Sequence, residues 1–336
     1  MKTAVVLFNL GGPDCPEAVE PFLRNLFTDP AIISLPWLVR QPLGRLIAKR
    51  RAPIAREIYE KIGGRSPIVE ETQAQARALE QALAAQGLEA KAFIAMRCWH
   101  PFSDGAALAV KQWGAEKIVL LPLYPQYSTT TTASSLKDWD RAAKKVGLNV
   151  PTTQVCCYPD APGFIEALAD SIRETWAKTK QGTRYRLLLS AHGLPERVVA
   201  KGDPYQWQVE RTATALVEKL GIDGLDHVIC YQSRVGPLKW IGPATDAEIR
   251  RAGSEGLGVV VAPIAFVSEH SETLVELDIE YAKLAQENGV ADYLRAATVG
   301  VRTPFIATLA DLVTCAASDR LCPAQFLRCG FREAWP

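Results

Sequence analysis

The tightest constraint on this 336-residue chain is a series of short, near-continuous apolar runs, among them Ile118-Val-Leu-Leu-Pro-Leu and Leu187-Leu-Leu-Ser. A strand with one wet face alternates polar and apolar residues, so runs without alternation mark strands covered on both faces, as in parallel sheets flanked by helices. Such runs recur at residues 3–9, 90–96, 117–123, 150–157, 186–191, 227–232, 258–265 and 293–299. Between them, stretches such as 71–86 and 206–220 carry apolar residues at helical spacing. The alternation predicts an α/β fold, and eight strands divide into two four-stranded halves. The strand count places domains at 1–160 and 161–302, with residues 303–336 expected to be helical and to pack back on the first half.

Composition removes several function classes. Apolar residues make up 48% and charged residues 22%, which is globular rather than disordered. Thirty-eight basic residues face 37 acidic ones, so no global field favours nucleic acid, and none is expected as a partner. The opening Met-Lys-Thr-Ala-Val-Val-Leu-Phe-Asn-Leu reads as a first strand rather than a signal peptide, and no window holds about 18 uncharged apolar residues, so a cytoplasmic protein is expected. Asn9-Leu-Gly-Gly-Pro13 has neither GxGxxG spacing nor a Gly-Lys-Ser/Thr phosphate loop, which leaves nucleotide binding unsupported.

In open α/β sheets, ligands bind beyond the carboxyl ends of the strands. Two segments stand there. The first is Leu188-Leu-Ser-Ala-His192-Gly-Leu-Pro, where a histidine at a strand end is either a catalytic base or a hydrogen-bonded structural residue. Ser190 with His192 lacks the Gly-x-Ser-x-Gly elbow of a nucleophile pair. The second is Ser268-Glu269-His270-Ser-Glu272-Thr-Leu-Val-Glu276-Leu-Asp278-Ile-Glu280-Tyr281, with five acids, one histidine and no lysine or arginine. On a helix, Glu272, Glu276 and Glu280 make a stripe of like charge that costs about 0.2–0.5 kcal/mol per pair. A helix dipole accounts for the first turn but not for two turns more. The stripe therefore points to carboxylates that handle protons or a divalent cation, and oxygen ligands with an imidazole suit ferrous iron in transit.

These segments, with Gly202-Asp-Pro-Tyr205, Asn9-Leu-Gly-Gly-Pro13, Ile47-Ala-Lys-Arg-Arg51, Lys61-Ile-Gly-Gly-Arg-Ser-Pro67, Leu123-Tyr-Pro-Gln-Tyr-Ser128 and Tyr231-Gln-Ser-Arg-Val-Gly-Pro-Leu-Lys-Trp240-Ile-Gly-Pro243, closely resemble the ferrochelatase family over nearly the whole chain. The resemblance implies two similar doubly wound, Rossmann-like parallel-sheet domains with a porphyrin in the cleft between them. It implies a lyase that inserts Fe2+ into protoporphyrin IX to give protohaem. The alternatives are a coproporphyrin III chelatase, whose four propionates ask for more cationic partners, and a non-catalytic haem or metal carrier, which needs no acidic ladder.

The resemblance also assigns roles. His192 becomes the base or metal-presenting group, Glu272 and His270 stand opposite it, and Glu276 and Glu280 form a conducting ladder. Leu10, Trp240 and Ile264 are candidate pocket walls, Arg97 is a candidate partner for a propionate, and Tyr124 lies similarly after the third strand. The apolar segment from Ile32 to Ile47, followed by Lys49-Arg50-Arg51, reads either as a buried helix or as an amphipathic lip on the inner face of the membrane, and the family resemblance favours the lip. A homodimer is admitted. Cys315, Cys322 and Cys329 are spaced Cx6Cx6C, with Pro323 and Gly330 against one continuous helix. Some members of the family bind a [2Fe–2S] cluster through three C-terminal cysteines and one internal cysteine. Here Thr129 occupies the usual internal position, so Cys157 or Cys156 is expected as the fourth ligand.

Overall fold

The computed structural model describes residues 1–234, 238–315 and 321–331. Two compact units divide them: Met1–Cys157 with Leu309–Asp319, and Tyr158–Thr308 with Arg320–Pro336.

The first unit runs β1 (Thr3–Asn9), α1 (Val19–Thr28), α2 (Trp37–Glu60), α3 (Ile68–Ala85), β2 (Ala90–Met96), α4 (Ser103–Trp113), β3 (Lys117–Pro122), α5 (Thr132–Lys145) and β4 (Thr152–Gln154). All its strands are parallel, in the order β2-β1-β3-β4. The central strand, Thr-Ala-Val-Val-Leu-Phe-Asn, is buried at every position, as a strand covered on both faces must be. Phe8 meets Trp139 of α5 edge to face at 6.1 Å, within one apolar layer that also holds Val6, Phe93 and Leu120.

The second unit runs α6 (Pro162–Trp176), β5 (Tyr185–His192), α7 (Glu196–Val199), α8 (Tyr205–Leu220), β6 (His227–Gln232), α9 (Thr245–Ser254), β7 (Gly258–Pro263), a π-helix (Glu272–Tyr281), α10 (Ala282–Glu287), β8 (Tyr293–Arg295) and the start of α11 (Thr303–Thr314). Its sheet repeats the order, β6-β5-β7-β8, again all parallel. Leu188, Val259, Val261 and Leu277 share its core.

Two expectations change. The strands β4 and β8, one edge of each sheet, are shorter than their expected runs, ending at Gln154 and Arg295, so Cys156 and Cys157 follow the strand rather than alternate within it. Among the described residues of the segment expected as a helix over 303–336, the helix runs over Thr303–Thr314, and 321–331 form turns and bends in which Pro323 and Gly330 fall.

Candidate active site

Strand β5 carries His192 to the carboxyl edge of the second sheet, opposite Gln232 of β6. The next residue, Gly193, sits where a side chain would be crowded. A Cβ on Gly193 would stand 3.0 Å from the Gln232 carbonyl and 3.3 Å from the Trp240 ring. His192 Nδ1 donates to the Gly193 carbonyl at 2.7 Å, which leaves Nε2 as the nitrogen that faces outward.

The loop after β7 presents a second imidazole in the same manner. His270 Nδ1 donates to the Ser268 carbonyl at 3.1 Å, and the ring lies against Phe266. Glu272 sits between the two. Its Oε1 is 3.7 Å from His192 Nε2 and its Oε2 is 3.8 Å from His270 Nε2. Burial pushes the Glu272 carboxyl up, but the His192 charge, then His270 and Ser233, outweigh it and bring the pKa down to about 2. The carboxylate is therefore ionised at neutral pH. Its Oε2 is buried without a hydrogen-bond partner. The two imidazoles address different oxygens of one carboxylate, so the trio stands in series, and among the described residues no three His, Cys, Asp or Glu side chains close into a metal cage.

From Glu272 to Tyr281 the backbone bonds i to i+5, a rare geometry found mostly at functional sites. Val275 and Leu277 are fully buried and anchor this segment, each by about 1.5–3 kcal/mol. Donors from other elements hold its carbonyls: Gln232 Nε2 reaches the Glu272 carbonyl at 3.0 Å and the Tyr293 hydroxyl reaches that of Leu277 at 2.8 Å. Glu276 accepts from the Ser233 backbone N–H at 2.8 Å, from Gln232 Nε2 and the Tyr281 hydroxyl at 3.0 Å each, and from the Ser233 hydroxyl. Burial, then the charge of Glu272, raise the Glu276 pKa. Glu280 lies exposed at the far end.

Sequence reasoning passed over Gln232 and Ser233, although both stand at a strand end. Ser233 has φ of 60°, a left-handed conformation that a non-glycine residue seldom adopts, and it aims both of its donors at Glu276. Ser190 is no nucleophile: fully buried, it donates to Gln232 Oε1 at 2.8 Å and so fixes which end of that amide faces Glu276. Ile264 is buried beside the site, with its N–H on the Ser190 carbonyl. Trp240 keeps a buried indole N–H without an acceptor.

The remaining candidates stand in the first unit. Leu10 packs with Val19, Phe22 and Cys98. Arg97 donates from Nε to Ser134 at 2.8 Å and pairs through NH2 with Asp29 at 2.9 Å, the latter 2% exposed. Tyr124 packs against the sheet core with its hydroxyl buried, and burial raises its pKa. Helix α2 lies on α1 through Gly44, Ala48 and Ala52, and a Cβ on Gly44 would stand 2.7 Å from the Phe27 carbonyl. That leaves Trp37 at 64% and Leu38 at 77% exposure, with Val39 and Leu46 also exposed, so the buried-helix alternative does not hold.

Of the cysteines, Cys156, Cys322 and Cys329 are buried, Cys157 is half-buried and Cys315 is exposed. Gln208 Nε2 donates to Cys322 Sγ at 3.0 Å, and Phe326 stacks on Trp207, which docks this segment on α8.

Two four-stranded parallel sheets, one of them with imidazoles and a carboxylate at its carboxyl edge, are the architecture of a metal chelatase, and the sequence comparisons below show that class. The fold is similar to SirB from Bacillus subtilis with Fe3+ (TM-score 0.56, 13% identity, covering 94% of this chain and 96% of that one). It is also similar to the sirohydrochlorin chelatase SirB from Bacillus subtilis subspecies spizizenii in complex with cobalt (TM-score 0.54, 12% identity, 95% and 96%). In sequence, the chain is 58% identical to a ferrochelatase of Phenylobacterium zucineum (strain HLK1), covering 99% of each. It is 55% identical to one of Caulobacter vibrioides (strain NA1000 / CB15N) over 99% of this chain and 98% of that protein, and 48% identical to one of Pelagibacter ubique (strain HTCC1062) over 98% of each. A family model described as Ferrochelatase matches residues 2–317. The chain belongs to the ferrochelatase family and is a lyase.

Proposed function

We propose that this enzyme inserts Fe2+ into protoporphyrin IX, the iron-insertion step of haem biosynthesis, with His192, His270 and Glu272 at the reacting centre. One observation carries the reading: a half-buried carboxylate, its Oε2 out of solvent, held between two imidazole Nε2 atoms at 3.7 and 3.8 Å. Metallation exchanges two pyrrole protons for a dication, so the site must accept protons and attract a cation. His192 Nε2, with Nδ1 fixed on a carbonyl, is the proton acceptor. Glu272 stays charged, balances the imidazolium that forms and draws Fe2+ in. Glu276 has its pKa shifted the other way, and two carboxyls driven apart by their surroundings divide the work: one remains a counter-ion, and the other takes protons and passes them toward exposed Glu280. A trio in series, not a cage, suits an ion that is passed on.

Trp240, Ile264, Leu10 and Tyr124 are proposed as porphyrin contacts, the Trp240 indole N–H being a donor without a partner. Arg97 already engages Ser134 and Asp29, so a propionate would meet its NH1. The exposed Trp37-Leu38-Val39 edge, followed by Lys49, Arg50 and Arg51, supports peripheral contact with a membrane and the more apolar porphyrin. No helix is long and apolar enough to cross a bilayer among the described residues. A homodimer is not needed for the site, whose three central residues come from one chain. The [2Fe–2S] reading rests on the family resemblance and on the count of thiols. As placed, the cysteines form no cage among the described residues, and no step is routed through a cluster. Iron and acid-labile sulfide at about two each per chain in anaerobically purified protein would establish it, and their absence removes it.

Anaerobic turnover of Fe2+ with protoporphyrin IX and with coproporphyrin III tests the main reading. Protohaem formation with a clear preference for the first is expected. Preference for coproporphyrin III overturns the substrate, and no product from either overturns the function.

A further inference from the structure

Beside the reacting segment stands a largely buried cation that the chemistry above does not use. Arg295, the last residue of β8, is 13% exposed in its side chain and faces carboxylates on two sides. Its Nε and NH2 donate to Asp278 Oδ1 and Oδ2 at 2.7 and 2.6 Å, a two-point fork. Its NH1 donates to Glu269 Oε1 at 2.7 Å, and the Thr298 N–H meets the same oxygen at 2.9 Å. Glu269 immediately precedes His270, and Asp278 lies on the π-helix two residues beyond Glu276. One planar group thus closes the stretch 269–278, which contains His270, Glu272 and Glu276, and ties both ends to the sheet, where Arg295 is in register with Val261 of β7.

We infer that Arg295 is a positioning residue for metal insertion: it holds the segment bearing His270 and Glu272 at the height where both face His192. The Nε2 to oxygen distances of 3.7 and 3.8 Å around Glu272 are set by nothing between those groups, so the frame must set them. A guanidinium does this with fixed directions, whereas an ammonium offers charge without the fork. Misplacement of reacting groups by about 1 Å can cost 10²-fold in rate. Porphyrin contacts should be indifferent to Arg295, whose own hydrogen bonds run to Asp278 and Glu269. This inference rests on the proposed function.

The test compares wild type, Arg295→Gln, Arg295→Lys, Asp278→Asn and the double variant Arg295→Gln/Asp278→Asn. For folded Arg295→Gln, kcat/KM for Fe2+ should fall by about tenfold or more while KM for porphyrin stays within about twofold, a split that general destabilisation does not produce. Arg295→Lys should recover only a minor part, and it carries the test by itself if the glutamine variant does not fold. The double variant should lose no more than the worse single, as partners in one contact do. Amide exchange should quicken in residues 268–281 and not elsewhere. Unchanged Fe2+ kinetics, parallel loss on both substrates, or multiplicative losses in the double variant overturn the inference. A wild type that turns over no Fe2+ defeats the proposed function instead, and localised exchange still reads whether the staple exists.

Discussion

The carboxyl edges of the two sheets superpose in hydrogen-bond register and part company in chemistry. Phe8 pairs with Pro122 as Ser190 pairs with Pro263, and Asn9 pairs with Met96 as Ala191 pairs with Tyr231. The next bonds repeat as well: Leu123 N–H meets the Phe8 carbonyl as Ile264 N–H meets that of Ser190, and Met96 N–H meets Pro101 as Tyr231 N–H meets Pro243. In this register Leu10 occupies the position of His192, and Arg97 that of Gln232. One edge ends in an apolar side chain and a self-neutralised Arg97–Asp29 pair, the other in an imidazole and an amide that organises carboxylates. After β3 the chain enters α5, whereas after β7 it enters the acidic π-helix. The backbone frame is thus indifferent to reactivity. A few side chains just past the ladder decide which edge does chemistry.

That contrast can be broken at its strongest point. His192→Ala should lower kcat by about 10³, within the range for loss of a general base, while the fold is kept. Leu10→Ala at the matching position should cost about tenfold or less, acting through packing. Comparable losses at both would show that the two edges share the work. Second in size is stability. Arg97→Leu removes the partner of a buried carboxylate and should destabilise the first unit by about 3–5 kcal/mol in urea unfolding, unless Asp29→Asn is made with it. Full stability in the single variant would mean that Asp29 is not held by Arg97.

A smaller effect concerns pH. The folded pKa of Glu272, about 2, lies below the ordinary value of about 4.3 for a free glutamate. Its contribution is therefore present at pH 7 and lost as pH falls from about 5 toward 2. The stability gap between wild type and Glu272→Gln should close over that interval, and a gap that widens on acidification would contradict the depressed pKa. Smallest of all, Trp37→Ser with Leu38→Ser should leave the thermal midpoint unchanged, since both side chains are exposed, while weakening sedimentation with anionic liposomes. A lowered midpoint with unaltered sedimentation would make this edge part of the core.

The sheets were legible because strands buried on both faces leave unbroken apolar runs, as in Val5-Val-Leu and Val259-Val-Val. Strand ends on the edges were less so, since the apolar Val155 and Cys156 extend the run past Gln154, where β4 ends, although the Val155 N–H still bonds the Leu120 carbonyl at 2.9 Å. Among site residues, His192 and the acidic stripe were visible as departures from pattern. Gln232, Ser233 and Arg295 were not: a neutral amide, a serine and an arginine are unremarkable until register brings them beside a carboxylate 17 or more residues away. The i to i+5 geometry was also hidden, because its cause lies in donors from β6 and β8.

That geometry makes Glu272–Tyr281 sensitive to length in a way that composition does not reveal. A wide turn packs its residues into less axial distance than an α-helix would, and the surplus is taken up by the donors that grip it from outside. Deleting one residue would let the segment relax to i to i+4 bonds, and every side chain beyond the deletion would swing by about 100°. Leu277 would leave the core, and Asp278 would leave Arg295. In this stretch the number of residues is itself an instruction about register: substitutions can be graded by chemistry, but insertions and deletions act as all-or-none edits of the reaction centre.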